Sequence, residues 1–348
     1  MEFRDGSPHP LASRSFLDVE LPIKETDYIG LNTRLSIMGP FIVIAVGLTP
    51  EVTGPDVLLL LDWQKGDLTT VSLLGIVLQI ADLRFKLRAT PTRTYLTDFV
   101  VVSDDVLALV RGPGNALELC RLTVTPTPSL RTICLLELPP LLPYVQLVAA
   151  SSKIEHHSRA VDIHQQIRPP PRHPFSPSRD DTLVLLTLSA RIRGSIFVEV
   201  RTYTLAVQAG TLLSYAGCHS SDTPGFVVPW DEWGPLSSRC FDEHSGLSNA
   251  VVAGQRWIAR GVIRDFCPRR VRASSGIAQR SNLPAGRVFA RDVESTLPYH
   301  EVSLVGNEGA LVHNAMIDNE RIMFLVPEVN DIRTPFPLVL IVTVADRW

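Results

Sequence analysis

The chain has 348 residues, of which 45% are apolar and 20% charged, a globular composition able to bury a sizeable core. A net charge of −3 excludes binding of nucleic acid by bulk charge alone. Twenty-seven prolines and twenty-one glycines favour short elements joined by many turns.

Short runs of Val, Leu and Ile bounded by Gly, Pro, Asp or Asn dominate the sequence and read as buried strands. Asp5-Gly6 followed by Phe16 to Leu21 reads as the end of a strand, a turn and a last strand. The first clear group is Phe41 to Gly47, Val57 to Trp63 and Leu68 to Leu73, with Asp62 to Asp67 as a turn. Leu73 to Arg88 is the one helical candidate, weakened by Gly75 and its β-branched residues. The second group is the clearest: Asp98 to Ser103, Val106 to Val110, Leu117 to Val124 and Arg131 to Leu138. Asp104-Asp105 makes one turn in it and Gly112-Pro113-Gly114-Asn115 another. The third comprises Val145 to Ala150, Thr182 to Ala190, Ile196 to Leu205 and Thr211 to Tyr215. A flexible Pro-rich insertion, residues 151–181, interrupts it. The fourth includes Phe226 to Val228, Val251 to Trp257 and Ile258 to Phe266, continuing past Pro268 to Val271. The fifth is Val302 to Val305, Ala310 to Ile317, Arg321 to Val326 and Leu338 to Val344.

Four strands in about 40 residues joined by hairpins form a meander the size of one propeller blade. Thr202 to Leu212 looks like a blade ending, with a strand, a reversal at Gly210 and an outer strand. Residues 1–348 therefore read as a single all-β, β-propeller-like domain. The expectation is about five to six four-stranded, WD40-like meander blades, of which the N-terminal one could be incomplete. A sandwich fits five meanders less well.

Five cysteines at 120, 134, 218, 240 and 267, with no CxxC pair, suit reduced core thiols better than disulfides or zinc. No apolar h-region opens the chain, and no apolar run nears the ~20 residues that span a bilayer. The expectation is a soluble intracellular protein, cytoplasmic or nuclear, without nucleic-acid or membrane partners.

A search for catalytic chemistry finds little. There is no GxSxG elbow and no P-loop, and His300-Glu301 begins an HExxH match that fails at Leu304. His156, His157 and His164 read as solvated loop histidines. No catalytic, metal or cofactor residue is assigned, and no cofactor is expected.

Two segments could carry an interaction. Trp230, Asp231, Glu232 and Trp233 sit in a loop between strands and could form a contact surface, or the tryptophans could cap the fold. Residues 256–291 hold nine arginines and one acid, Asp265. Arg269, Arg270 and Arg272 could hold an acidic peptide or phosphate. The alternative is neutralisation inside the fold, for which residues 217–247 offer five acids.

An ordered set of strings spans nearly the whole chain. It runs through Ser7-Pro8-His9-Pro10-Leu11-Ala12, Leu59 to Gly66, Phe99 to Asp105, Phe175-Ser176-Pro177-Ser178 and Val228 to Pro235. Asp265-Phe266-Cys267-Pro268, Leu297 to Val302 and Met316 to Ile322 follow. Together they resemble fungal F-box domain-containing proteins with a β-propeller-like C-terminal region. The resemblance implies a non-catalytic substrate-recognition region of the ubiquitin-ligase system, with a protein substrate of unknown identity as partner. In that family an F-box hook binds a Skp-type adaptor. No Leu-Pro-x-Glu opening precedes the first strand here, so the adaptor is a partner only if an F-box lies upstream. The rival expectations are a truncated or degenerate paralogue and, behind it, an enzyme built on a propeller.

Overall fold

The computed structural model describes residues 32–38, 41–47, 57–62, 67–72, 96–111, 115–123, 129–154, 179–192, 199–218, 226–242, 251–259, 262–273, 277–278, 280–303, 314–317, 321–326 and 338–343. Strands predominate, arranged in several largely antiparallel sheets, so the all-β expectation holds. The chain divides into two compact units. One contains residues 1–137, 156–173 and 215–228, and the other residues 138–155, 174–214 and 229–348.

In the first unit, β1 (Asn32–Met38), β2 (Phe41–Gly47), β3 (Val57–Asp62) and β4 (Asp67–Ser72) form a sheet in sequential order. Each strand pairs antiparallel with the next, from Met38↔Phe41 through Phe41↔Asp62 to Asp62↔Asp67. A second meander contains β5 (Leu96–Val101), β6 (Val106–Arg111), β7 (Ala116–Thr123) and β8 (Ser129–Glu137). A short strand, β12 (Phe226–Val228), joins its far edge parallel to β8. All five residues from Val106 to Val110 are buried, which requires cover on both faces of the sheet. Leu107, Leu109, Leu117 and Leu119 are fully enclosed, each stabilising the fold by about 1.5–3 kcal/mol relative to exposure.

The acids of this sheet do local structural work. The Ser103 hydroxyl donates to Asp105 Oδ1 at 2.8 Å and accepts from the Val106 amide at 3.1 Å, closing the turn expected at Asp104-Asp105. Asp105 also meets Arg121 at 3.4 Å. Buried Asp98 accepts the Phe99 amide at 2.8 Å, and buried Glu118 accepts the Thr132 hydroxyl. Asn115 enters β7 at φ 42°, the left-handed geometry that turns assign to Asn or Gly.

In the second unit, β9 (Val145–Ile154), β10 (Leu183–Ile192), β11 (Glu199–Gln208) and β13 (Ser238–Asp242) form a sheet of order β13-β11-β10-β9. A second sheet contains β14 (Val251–Ala253), β15 (Arg256–Ala259), β16 (Val262–Asp265), β17 (Ile277–Ala278) and β20 (Tyr299–Ser303). Its order is β14-β15-β16-β20-β17. Gly254 turns β14 into β15 at φ 56°, which glycine adopts without a Cβ penalty. Leu183, Leu185 and Ala206 of the first of these sheets pack with Trp257, Ala259, Phe266 and Leu297, against Phe241, Val252 and Tyr299. Two smaller sheets are β18 (Ser281–Leu283) with β19 (Val293–Ser295), and β21 (Asn314–Ile317), β22 (Arg321–Val326) and β23 (Leu338–Thr343).

Three expected strand or loop segments are helices. Thr211 to Tyr215 lies inside α1 (Ala209–Cys218), so β11 ends at Gln208 and the fourth strand of its sheet is β13, not a strand after Gly210. The Ala209 amide donates to Thr182 O at 2.8 Å, and a Cβ on Gly210 would stand 2.8 Å from Asp180 O. Those close approaches fix where the helix begins. Trp230 to Pro235 forms most of α2 (Trp230–Ser237), and the run past Pro268 is α3 (Pro268–Ala273). The strand expected at Val302 starts earlier, at Tyr299, and pairs with β16 rather than with the last group. The readings at Phe16 to Leu21, Leu73 to Arg88 and Arg168 to Pro177 lie outside the described residues. Of the interrupting insertion, β9 reaches Ile154 and a 3-10 turn covers Arg179–Asp181.

Cys120, Cys134 and Cys240 are buried free thiols, and burial pushes Cys134 and Cys240 up to about 12. Among the described residues no helix is long and apolar enough to cross a membrane.

Candidate interaction surface

Helix α2 starts after Pro229, whose φ of −62° and ψ of 150° suit the residue that precedes a helix. Asp231 and Glu232 stand in its first turn, where carboxylates favour the positive end of the helix dipole. The helix divides sharply into faces. Trp230 and Trp233 are 2% and 0% exposed, their rings edge to face at 5.2 Å. Pro235 O accepts both the amide and the hydroxyl of Thr296, at 2.8 and 2.9 Å, and Gly234 O accepts the Ser238 hydroxyl at 2.6 Å. The tryptophans therefore anchor the helix and present no aromatic face outward. Asp231, Glu232 and Leu236 form the exposed side. Arg291 pairs with Asp231 at 2.5 Å, with both side chains about half exposed.

The arginine-rich segment is largely neutralised within the second unit. Asp265 closes β16 directly across from Arg256, accepts it at 3.3 Å, and also accepts Arg270 of α3 at 3.0 Å. Its other oxygen takes the Cys267 amide at 2.9 Å, so one buried carboxylate ties strand, turn and helix together. Arg264 lies across from Glu301, pairs with it at 2.9 Å, and stacks over Phe241 and Trp257 at 4.5 and 4.4 Å. Arg280 pairs with Glu294. Glu199 accepts Arg201 at 2.8 Å and Arg287 at 3.0 Å. The Arg201 hydrogen bond, aided by Arg287, holds the Glu199 carboxyl below its ordinary range. Only Asp231 among these acids comes from residues 217–247. Cross-strand register supplies Asp265 and Glu301, and neither relation is visible without knowing the pairing.

Two arginines of the predicted set remain on the surface. Arg269 and Arg272 are exposed on α3, three residues apart and hence on one side of the helix. Arg272 Nε donates to Pro268 O at 3.2 Å, and no carboxylate meets either guanidinium among the described residues. Arg270, between them, is committed to Asp265. Arg260 lies outside the described residues.

The arginine that the sequence did not single out is the most enclosed. Arg239 on β13 is 2% exposed, with its guanidinium 4.9 Å from the centre of the Tyr299 ring and NH1 3.4 Å from Ser295 O. Burial pulls its pKa below the ordinary arginine value. Only its alternation with Phe241 in Ser238-Arg239-Cys240-Phe241 hinted that it shares the inward face. Among the described residues no three His, Cys, Asp or Glu side chains converge as metal ligands do. His156, His157 and His164 lie outside those residues. No protein-family model, no curated protein and no solved structure matches this chain.

Proposed function

We propose that this chain is a non-catalytic protein-interaction region of an F-box-type protein, its sheets acting as blades of a propeller-like array that recruits a protein substrate to a ubiquitin ligase. The observation that carries this reading is the repetition of four-stranded meanders. β1-β2-β3-β4 and β5-β6-β7-β8 run in sequence order, and β9-β10-β11-β13 departs only where α1, β12 and α2 intervene. Such units bury their faces by stacking and leave connecting segments free to vary, which suits recognition. Engagement of a Skp-type adaptor belongs to an F-box hook and is no part of what these sheets do.

The contact residues in this reading are Asp231 and Glu232 on α2, and Arg269 and Arg272 on α3. Trp230, Trp233 and Arg270 act through them, by fixing the two helices. The test is quantitative affinity capture from eukaryotic cell lysate with the full chain and with R269E/R272E and D231K/E232K variants. A defined protein retained by the parent chain and reduced at least tenfold by one of the charge reversals supports the reading. Capture that is unchanged by both variants overturns it.

A further inference from the structure

The seam between the two large sheets of the second unit holds three buried hydrogen-bond donors without acceptors. Arg239 Nε, Thr204 Oγ1 and Trp257 Nε1 are each enclosed and unpartnered. The register brings the first two to one face of their sheet, and Trp257 of the other sheet meets that face through Phe241. Arg239 stands across from Ala206, and Thr204, two residues back on β11, stands across from Phe241. Residues two apart on a strand share a face, so Arg239, Phe241, Thr204 and Ala206 look the same way. Phe241 meets Trp257 edge to face at 4.8 Å and Tyr299 at 5.3 Å. The seam is thus aromatic walls around groups that can only donate, or whose hydroxyl donates readily.

Charge points the same way. Burying a guanidinium without a counter-ion is costly, and proteins ordinarily place a carboxylate beside it. Asp242, three residues on along β13, falls on the other face of the strand, and Asp265 and Glu301 of the second sheet are each taken by other arginines, Arg256 and Arg270 for Asp265 and Arg264 for Glu301. Arg239 keeps only the Ser295 carbonyl on NH1 and the Tyr299 side chain. With NH1 given to a carbonyl and the group also bonded to Tyr299, Nε is the nitrogen left without a partner, and it can donate a charge-assisted hydrogen bond to a carboxylate oxygen. One buried cation is balanced by one negative charge. A phosphate dianion would leave an excess charge in the same low-dielectric seam.

We infer that Arg239, with Thr204 and Trp257, forms a binding site for a monocarboxylate in the sheet-to-sheet seam of the second unit. Tyr299, partly exposed and covering the guanidinium, is its cover. The carboxylate comes either from a small free acid or from an acidic peptide side chain. The site does not depend on the surface residues of α2 and α3.

The test uses the full chain, with acetate and propionate titrated at constant ionic strength against chloride, inorganic phosphate as a parallel arm, and an acetyl-Glu-amide peptide as a third. The readouts are Tm and tryptophan fluorescence, to which Trp257 contributes as one of five tryptophans. A saturable rise in Tm of several degrees with the monocarboxylates, absent with chloride, supports the site. Saturation by the small acids with no response to the peptide assigns a free acid, and the reverse assigns a peptide side chain. Arg239→Met abolishes the response, and Arg239→Lys, which keeps the charge but loses the Nε donor, weakens it at least tenfold. No saturable response in the parent chain, an equal response to chloride or phosphate, or a response that survives in Arg239→Met overturns it. If Arg239→Met does not fold, Arg239→Lys and the parent titration decide.

Discussion

The Trp230 indole lies directly on Gly234, four residues on, so that any Cβ at 234 would overlap the ring. Both residues are buried, and Trp230 is held against Trp233. The ring therefore cannot swing aside. Alanine is the better helix former by about 1 kcal/mol, but overpacking a buried aromatic costs about 1–3 kcal/mol. Gly234→Ala is expected to destabilise the chain, read as a lower urea midpoint. An unchanged or higher midpoint would show that the indole has room to move.

Asp265 is expected to be the most sensitive charged residue of the arginine-rich segment. Asp265→Ala leaves Arg256 and Arg270 without their carboxylate and frees the Cys267 amide. Breaking a fully buried pair costs ~3–5 kcal/mol, and Arg270 is about a third exposed, so about 2 kcal/mol is expected. Arg269→Glu with Arg272→Glu should shift stability by no more than about 0.5 kcal/mol. Equilibrium unfolding of the two variants side by side checks the contrast.

The Arg291–Asp231 pair is expected to contribute little to folding. Its side chains are 52% and 57% exposed, and such pairs contribute about 0–1 kcal/mol, less in salt. Asp231→Ala should leave the unfolding midpoint within error in 0.5 M salt. A larger loss would mean that the pair orders α2 itself.

Alkaline stability follows from the buried thiols and phenol. Burial holds Cys134, Cys240 and Tyr203 near 12, above ordinary values of 9.0, 9.0 and 10.0. The unfolded chain loses these protons first as pH rises. The stability they contribute is thus intact below pH 9 and lost between 9 and about 12. Urea midpoints should fall steadily across that window, and Cys134→Ala/Cys240→Ala should flatten the part that begins near pH 9. At neutral pH a thiol reagent should label exposed Cys218 and leave Cys120, Cys134 and Cys240 unreacted.

Much of the strand pattern was legible because it is written in local composition. Arg321 to Val326 is a strand with those very bounds, and Val106 to Val110 lies one residue short of its end. Unbroken β-branched and leucine runs between turn residues leave few alternatives. The helices were misread where tertiary contact or an overlooked start signal decided. Thr211 to Tyr215 is apolar enough for either state, and the close approach of Gly210 to Asp180 settles it. Pro268 at the first position of α3 and the acids after Pro229 were ordinary helix-start signals. Of the candidate site, the exposure of Asp231, Glu232, Arg269 and Arg272 could not be read from sequence. It depends on which partners the register brings to Arg256, Arg264 and Arg270. Arg239 shows only the faint signal of its alternation with Phe241, since nothing else local separates a buried arginine from a solvated one.

Site-specific photo-crosslinking in living cells tests the interaction account most directly. A photoreactive residue is placed in turn at Glu232, at Arg269 and, as an exposed control in the second unit, at Tyr144. The expected result is one and the same protein joined at position 232 or 269 and not at 144. Equal labelling at all three positions, or no protein adduct at 232 and 269, would contradict a recognition surface carried by these helices.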